Sequence, residues 1–279
     1  MNAPIYPYGH FYSPIVDTQD VLSRTEQIWD GRESLPGIDF NPDKHLEILG
    51  DWFPEFISQY DYPDSGNAES PTGFFSLNDQ FSWLDARTLY VFLRKLRPSR
   101  VVEVGSGFSS LLIADVARHL LNAQCEFVCI EPYPRAFLTR GVPGISRLVQ
   151  ERVENVDVKE FSRLERGDIL FVDSSHVAKT GSDVLFLFFQ VFPLLKPGVL
   201  IHVHDIFLPA EYPRQWVIDQ NRSWNEQYLL QALLMYSTRF RILFGSSYAA
   251  MVHGSAVVAA LARPDGHGMS GGSFWIEVM

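Results

Sequence analysis

Asp173 and Asp205 each stand close to histidine, in the runs Asp173-Ser174-Ser175-His176 and His202-Val203-His204-Asp205. Carboxylates and imidazoles hold divalent cations, and imidazole exchanges protons near neutral pH. Each run closes an apolar stretch that reads as a buried strand, Asp168 to Val172 and Val199 to Val203. In neighbouring parallel strands the carboxyl ends open on one crevice, the place where open α/β sheets bind ligands. Asp173, His204 and Asp205 are thus the candidate ligands of a divalent metal, with His176 as candidate base. His202 reads as readily as a buried imidazole bonded to the backbone.

A second set of residues suits a nucleotide-like ligand. Val101-Val102-Glu103-Val104-Gly105-Ser106-Gly107-Phe108-Ser109-Ser110 reads as strand, glycine turn and helix start. Gly105 and Gly107 allow a sharp bend and a close backbone approach, while Ser109 and Ser110 open a helix whose first N–H groups are free. The dinucleotide fingerprint asks for a third glycine where Ser110 stands, which argues against a pyrophosphate cofactor. Glu103, two residues before the first glycine, is placed to meet a positively charged ligand end through bound groups or water. Glu131 ends the next strand, in Phe127-Val128-Cys129-Ile130-Glu131-Pro132, where an acid accepts ribose hydroxyls. Glu103, Gly105, Gly107, Ser109, Ser110, Glu131 and Asp173 are the expected cofactor site.

The elements that must position these groups are legible from periodicity and punctuation. Apolar residues recur at helical spacing from Trp83 to Leu96, and Arg97-Pro98-Ser99 ends that run before the strand Arg100 to Val104. The reading continues with a helix Ser109 to Leu121, strands Glu126 to Ile130 and Arg147 to Gln150, and a polar helix Val156 to Leu164. After Asp168 to Val172, Gly181-Ser182-Asp183 caps a helix to Leu194. Lys196-Pro197-Gly198 turns into Val199 to Val203. A helix Trp224 to Tyr236 precedes strands Phe240 to Phe244 and Phe274 to Val278, expected as a hairpin at the sheet edge joined by a glycine-rich loop. Alternating strands and helices predict a Rossmann-like, doubly wound α/β fold: a mostly parallel seven-stranded sheet with an antiparallel edge strand.

Residues 1–80 are dense in proline, glycine, aspartate and aromatics, with one expected helix from Lys44 to Tyr60, and read as an irregular cap or lid. Phe11-Tyr12-Ser13-Pro14 and Phe74-Phe75-Ser76-Leu77-Asn78 are its candidate lid segments. The aromatic and proline-rich loop Asp205 to Pro213, followed by Arg214, Trp216, Arg222, Trp224 and Asn225, suits either substrate binding or cap packing.

Composition narrows the partners. The 279 residues carry a net charge of −10, which disfavours a nucleic-acid partner, since phosphate binding needs clustered positive charge. The longest apolar run, Val184 to Leu195, is interrupted by Gln190 and Pro193 and is too short to span a bilayer. Cys125 and Cys129 are four apart in a strand, ~13 Å by strand rise and too far for a disulfide. With no signal peptide in the opening residues, the expectation is a cytoplasmic enzyme acting on a small molecule; a homo-oligomer is left open.

The glycine motif, the strand-end acid, Phe171-Val172-Asp173-Ser174-Ser175-His176-Val177, Leu194 to Asp205 and the closing Gly271 to Val278 together resemble class I S-adenosylmethionine-dependent methyltransferases, over roughly residues 80–279. The chain looks closest to a bacterial group loosely related to small-molecule O-methyltransferases. The resemblance implies S-adenosylmethionine as cofactor and methyl transfer to a small-molecule hydroxyl, with residues 81–279 as the methyltransferase domain. Catechol O-methyltransferase, by the same resemblance, holds Mg²⁺ with an aspartate at Asp173 and an Asp-Asn pair where this chain has His204-Asp205, and its lysine base falls at His176. Imidazole in those places suits a softer metal than Mg²⁺. A non-haem metal oxygenase and a catalytically silent S-adenosylmethionine-binding protein are the competing readings.

Overall fold

A computed structural model describes residues 4–261 and 270–279. Seven strands, β1 Arg100–Val104, β2 Glu126–Ile130, β3 Arg147–Val149, β4 Ile169–Val172, β5 Leu200–Val203, β6 Phe240–Gly245 and β7 Phe274–Val278, form one sheet in the order β3-β2-β1-β4-β5-β7-β6. The first five neighbours are parallel, with Val102 level with Val128 and Leu170. β7 runs antiparallel to both β5 and β6. The antiparallel strand therefore sits one place in from the edge, with β6 outermost.

Residue alternation along the strands sorts side chains between two cores. Val101, Phe127, Cys129, Ile169, Phe171 and Leu200 face the helices Trp83–Leu96 and Phe108–His119. Val102, Val104, Val128, Leu170, Val172 and Ile201 face the opposite layer, which includes the helical run from Asp183 to Leu194. Burial on both faces explains why these strands read as largely apolar runs. The N-terminal residues enter the same cores: Ile48, Leu49, Trp52, Phe53, Phe74 and Phe75 belong to the first, Leu35 and Phe40 to the second.

Strand positions follow the sequence expectation closely; the differences lie in helices. The expected hairpin between β6 and β7 has the helices Ser246–Val252 and Gly254–Leu261 in its connection, and part of the glycine-rich stretch before β7 lies outside the described residues. The helix expected from Trp224 is Glu226–Leu234. Its start is delayed because the N–H groups of Asn225 and Glu226 donate to the His176 carbonyl at 3.1 and 3.2 Å, and the Asn225 side chain pairs with the Ala178 backbone. Arg214–Ile218 is a further short helix. The helix expected in the N-terminal region is a continuous helical run from Pro42 to Gln59. No helix among the described residues is long and apolar enough to cross a membrane.

Candidate active site

The glycine turn and the end of β4 are in direct backbone contact. Gly105 has φ +81°, and a Cβ built there would lie 1.7 Å from the Asp173 carbonyl oxygen, so no other residue fits. Asp173 in turn donates its N–H to the Val104 carbonyl at 2.8 Å. Beside this junction opens a cavity of about 360 Å³, lined by Gly105, Ile130, Glu131, Tyr133, Val153 and Asp173 among others. Both Glu131 carboxylate oxygens accept backbone N–H groups, from Ser106 at 3.1 Å and Tyr133 at 2.8 Å. They fix the acid at the cavity wall with lone pairs to spare.

Glu103, Ser109 and Ser110 come together elsewhere, which corrects the expectation that Glu103 meets a ligand. Strand alternation points Glu103 to the same side as Val101, beneath the helix Phe108–His119, where it is wholly buried. Its oxygens accept the hydroxyls of Ser109 at 2.7 Å and Ser110 at 2.5 Å and the Cys129 thiol at 3.4 Å. Burial pushes its pKa up to about 7 against the lowering effect of Ser110, Ser109 and Cys129. Ser110 Oγ also accepts the Gly107 N–H at 3.0 Å, so this group ties the helix start to β1. Gly107 is placed differently from Gly105. Its φ of −165° is extended, and an added Cβ would meet nothing nearer than Gln80 Oε1 at 3.7 Å.

Asp173, His176, His204 and Asp205 converge, as their strand ends predict. His176 Nε2 lies 3.4 Å from Asp173 and 3.6 Å from Asp205. His204 Nδ1 lies 3.5 Å from Asp173 and 3.6 Å from Asp205. These spacings exceed a charge-assisted hydrogen bond, so each imidazole faces both carboxylates without closing on either. Asp173, His176 and Asp205 form a group able to hold a metal ion. His176 has φ +60° and Asp205 φ +57°, sparsely populated conformations that cluster at functional sites.

The outer nitrogen of each imidazole is fixed by an acid that sequence reading missed. His176 Nδ1 pairs with Glu226 at 3.0 Å, and His204 Nε2 with Asp85 at 3.3 Å. Asp85 is itself held by the N–H groups of Gly272 and Ser273 at 2.8 and 2.9 Å. Burial alone would lower His176, but Asp173 and Glu226 outweigh it and raise it to about 10. His204 is likewise raised against burial by Asp205 and Asp173. The bare cluster thus balances its carboxylates with protons on both rings. His202 stays apart, stacked on Phe171 at 3.9 Å with Nε2 on Ser273 at 2.8 Å, and burial depresses its pKa.

A second cavity, of about 910 Å³, opens on the cluster. Asp173, His176, His204 and Asp205 form its floor, and Gln80, Trp83, Phe207, Trp216, Arg222 and Trp224 are among its walls. Asp173 belongs to the lining of both cavities. Of the expected lid segments, Phe74, Phe75 and Asn78 are buried, and Asn78 Oδ1 accepts the N–H groups of Gln80 and Phe81, which sets Gln80 at the cavity. Phe11 and Tyr12 lie in an exposed aromatic stack with His10. The N-terminal region reaches the aromatic loop through Trp29, whose indole N–H donates to the Tyr212 carbonyl at 2.8 Å.

Residues 102–206 match a family model described as a methyltransferase domain. An uncharacterized protein of Archaeoglobus fulgidus is 38% identical over 172 residues, 59% of this chain and 76% of its own length. Among solved structures, an SAH-bound methyltransferase of Podospora anserina aligns with TM-score 0.44 and 18% identity over 100% of both chains. An O-methyltransferase of Bacillus cereus in complex with SAH aligns with TM-score 0.44 and 13% identity over 85% of this chain and 91% of its own. The archaeal relative names no activity, and on the domain match the chain belongs to a methyltransferase family.

Proposed function

We propose that this protein moves the methyl group of S-adenosylmethionine to a hydroxyl of a small acceptor, past the side chain of Asp173. One observation carries the reading: Asp173 is the wall common to a nucleoside-sized cavity and a larger, aromatic-walled one. In that reading Glu131 receives the ribose hydroxyls, Gly105 lets the donor approach the backbone, and Asp173 meets the donor on one side and the acceptor on the other. Methyl transfer requires mainly in-line placement of nucleophile, carbon and sulfur, and two cavities meeting at one residue suit that requirement.

The donor set also fits a divalent metal. His176 Nε2 and His204 Nδ1 each lie 3.4–3.6 Å from carboxylate oxygens of Asp173 and Asp205, and Asp173, His176 and Asp205 offer ligand atoms close enough together to share one ion. Asp173 and Asp205 would hold the ion with an imidazole, His204 on the sequence expectation and His176 in the group the geometry brings together, and an imidazole ligand favours Zn²⁺, Mn²⁺ or Fe²⁺ over Mg²⁺. A cation there would lower the pKa of a coordinated hydroxyl and, by occupying the carboxylates, release His176 from the charge that keeps its ring protonated. His176, with Nδ1 held by Glu226, turns Nε2 to the cluster, where a neutral ring that does not ligate the ion would receive the hydroxyl proton. The free, buried cysteines are compatible with a cytoplasmic setting.

Titration calorimetry with S-adenosylmethionine and S-adenosylhomocysteine, with metal analysis of the purified protein, tests this. Binding of both nucleosides and retention of a divalent ion are expected. Iron without nucleoside binding would mark an oxygenase, and no binding of either nucleoside overturns the reading.

A further inference from the structure

Arg222 is the one lysine or arginine among the described residues that line the larger cavity. Its guanidinium carbon lies 4.2 Å from the Trp216 ring centroid and 4.5 Å from that of Trp224. The indoles meet at 75° with centroids 5.4 Å apart, so the guanidinium is seated in the corner they make. Its backbone N–H donates to the Trp216 carbonyl at 2.9 Å, closing the turn. Among the described residues no carboxylate lies within ion-pair distance of it, whereas Arg100, Arg147 and Arg241 each pair with a glutamate. Stacking fixes the plane of the guanidinium and leaves its N–H edges without a hydrogen-bond partner among the described residues. An oxyanion that presents two oxygens side by side, a carboxylate or a phosphate, is the partner that such a fork matches, through two parallel hydrogen bonds, and a side chain already held by two rings loses little further freedom on binding one.

The spacing to the reacting end follows from Trp224. Its ring also packs on His176, at 4.2 Å, so the guanidinium carbon and the imidazole centroid are no more than about 9 Å apart. A ligand that meets both must carry its oxyanion and its hydroxyl within the span of a single ring or a short chain.

Resting on the reading of this cavity as the acceptor site, we propose that Arg222 binds a carboxylate or phosphate of the acceptor. The substrate class is then compact hydroxylated acids. The acid-rich floor around Asp173 and Asp205 takes the hydroxyl end, and the Trp216–Trp224 corner takes the anion.

Matched pairs test it by calorimetry on protein saturated with S-adenosylhomocysteine: 3,4-dihydroxybenzoate against catechol, salicylate against phenol, glucuronate against glucose, and glucose 6-phosphate against glucose. In at least one pair the acid binds tenfold or more tightly than its neutral partner. Arg222→Gln abolishes that difference, and Arg222→Lys, which keeps the charge but not the fork, retains part of it. The carboxylate and phosphate pairs tell the two anions apart. A panel with no acid preference, or a preference that survives Arg222→Gln in folded protein, overturns the proposal; if Arg222→Gln does not fold, an undiminished preference in Arg222→Lys does so. Methylation is followed separately with radiolabelled donor. A preference lost in Arg222→Gln without methylated product keeps the anion site and removes the methyl-transfer reading.

Discussion

Glu226 and Asp85 perform the same service for two different imidazoles, accepting the outer N–H so that the inner nitrogen faces Asp173 and Asp205. Such outer carboxylates set tautomer and ring orientation, and their loss commonly lowers metal affinity or activity by about 10–100-fold. Glu226→Gln keeps the shape but not the charge. It is expected to weaken divalent-ion retention by about tenfold or more in competition with a chelator while leaving S-adenosylhomocysteine affinity unchanged, which a merely structural role would not separate. Glu103 makes a different prediction, about stability. Burial raises it from the usual glutamate value to about 7, so in the interval between those values the folded chain holds a proton that the unfolded chain has released. Stability contributed there is present at low pH and lost as pH rises towards 7, by up to about 3 kcal/mol. Urea denaturation of wild type and Glu103→Gln across pH 4 to 8 checks it. The wild type should lose ground to the variant as pH rises, and parallel curves would exclude the protonated buried acid.

At the scale of elements, the two glycines of one turn have unlike duties. Gly105→Ala drives a Cβ into the Asp173 carbonyl at positive φ and should cost several kcal/mol or prevent folding. Gly107→Ala meets open space and is expected to shift the melting temperature by no more than a few degrees. Differential scanning fluorimetry of both separates them. A two-letter pattern cannot distinguish these roles, because the obstacle to Gly105 comes from β4, more than sixty residues away. Strands were legible for the opposite reason: β1, β2, β4 and β7 are buried on both faces, and apolar residues fill them almost throughout, with Glu103 the buried exception. The helices Ser246–Val252 and Gly254–Leu261 were not, since their small and apolar residues carry little amphipathic contrast and glycine and serine sit among them. Asp85 and Glu226 were hidden likewise. Each is a lone acid in the first turn of a helix, where a favourable helix dipole already accounts for it, and only the tertiary approach of His204 and His176 gives it other work.

At the scale of the molecule, the N-terminal eighty residues complete a core rather than lie on one. Phe53 is fully buried in the cluster that also holds Phe92, Phe244 and Trp275. His45 bridges the Asn41 carbonyl at 3.1 Å and the Gly245 N–H at 2.8 Å, across 200 residues of chain. Phe53→Ala should therefore cost about 3–5 kcal/mol of global stability in a single cooperative urea transition. A detachable lid would instead show a separate early transition. The contact between the glycine turn and the end of β4 has one more consequence. Gly105 and Asp173 cannot move independently, and each belongs to the lining of the smaller cavity while Asp173 also faces the larger. Ligands of the two cavities are then thermodynamically linked: whatever factor S-adenosylhomocysteine adds to acceptor affinity, the acceptor must return to S-adenosylhomocysteine. On the proposed reading of the two cavities, donor occupancy steadies Asp173, so the factor should exceed one, measurable as equal tightening in reciprocal titrations.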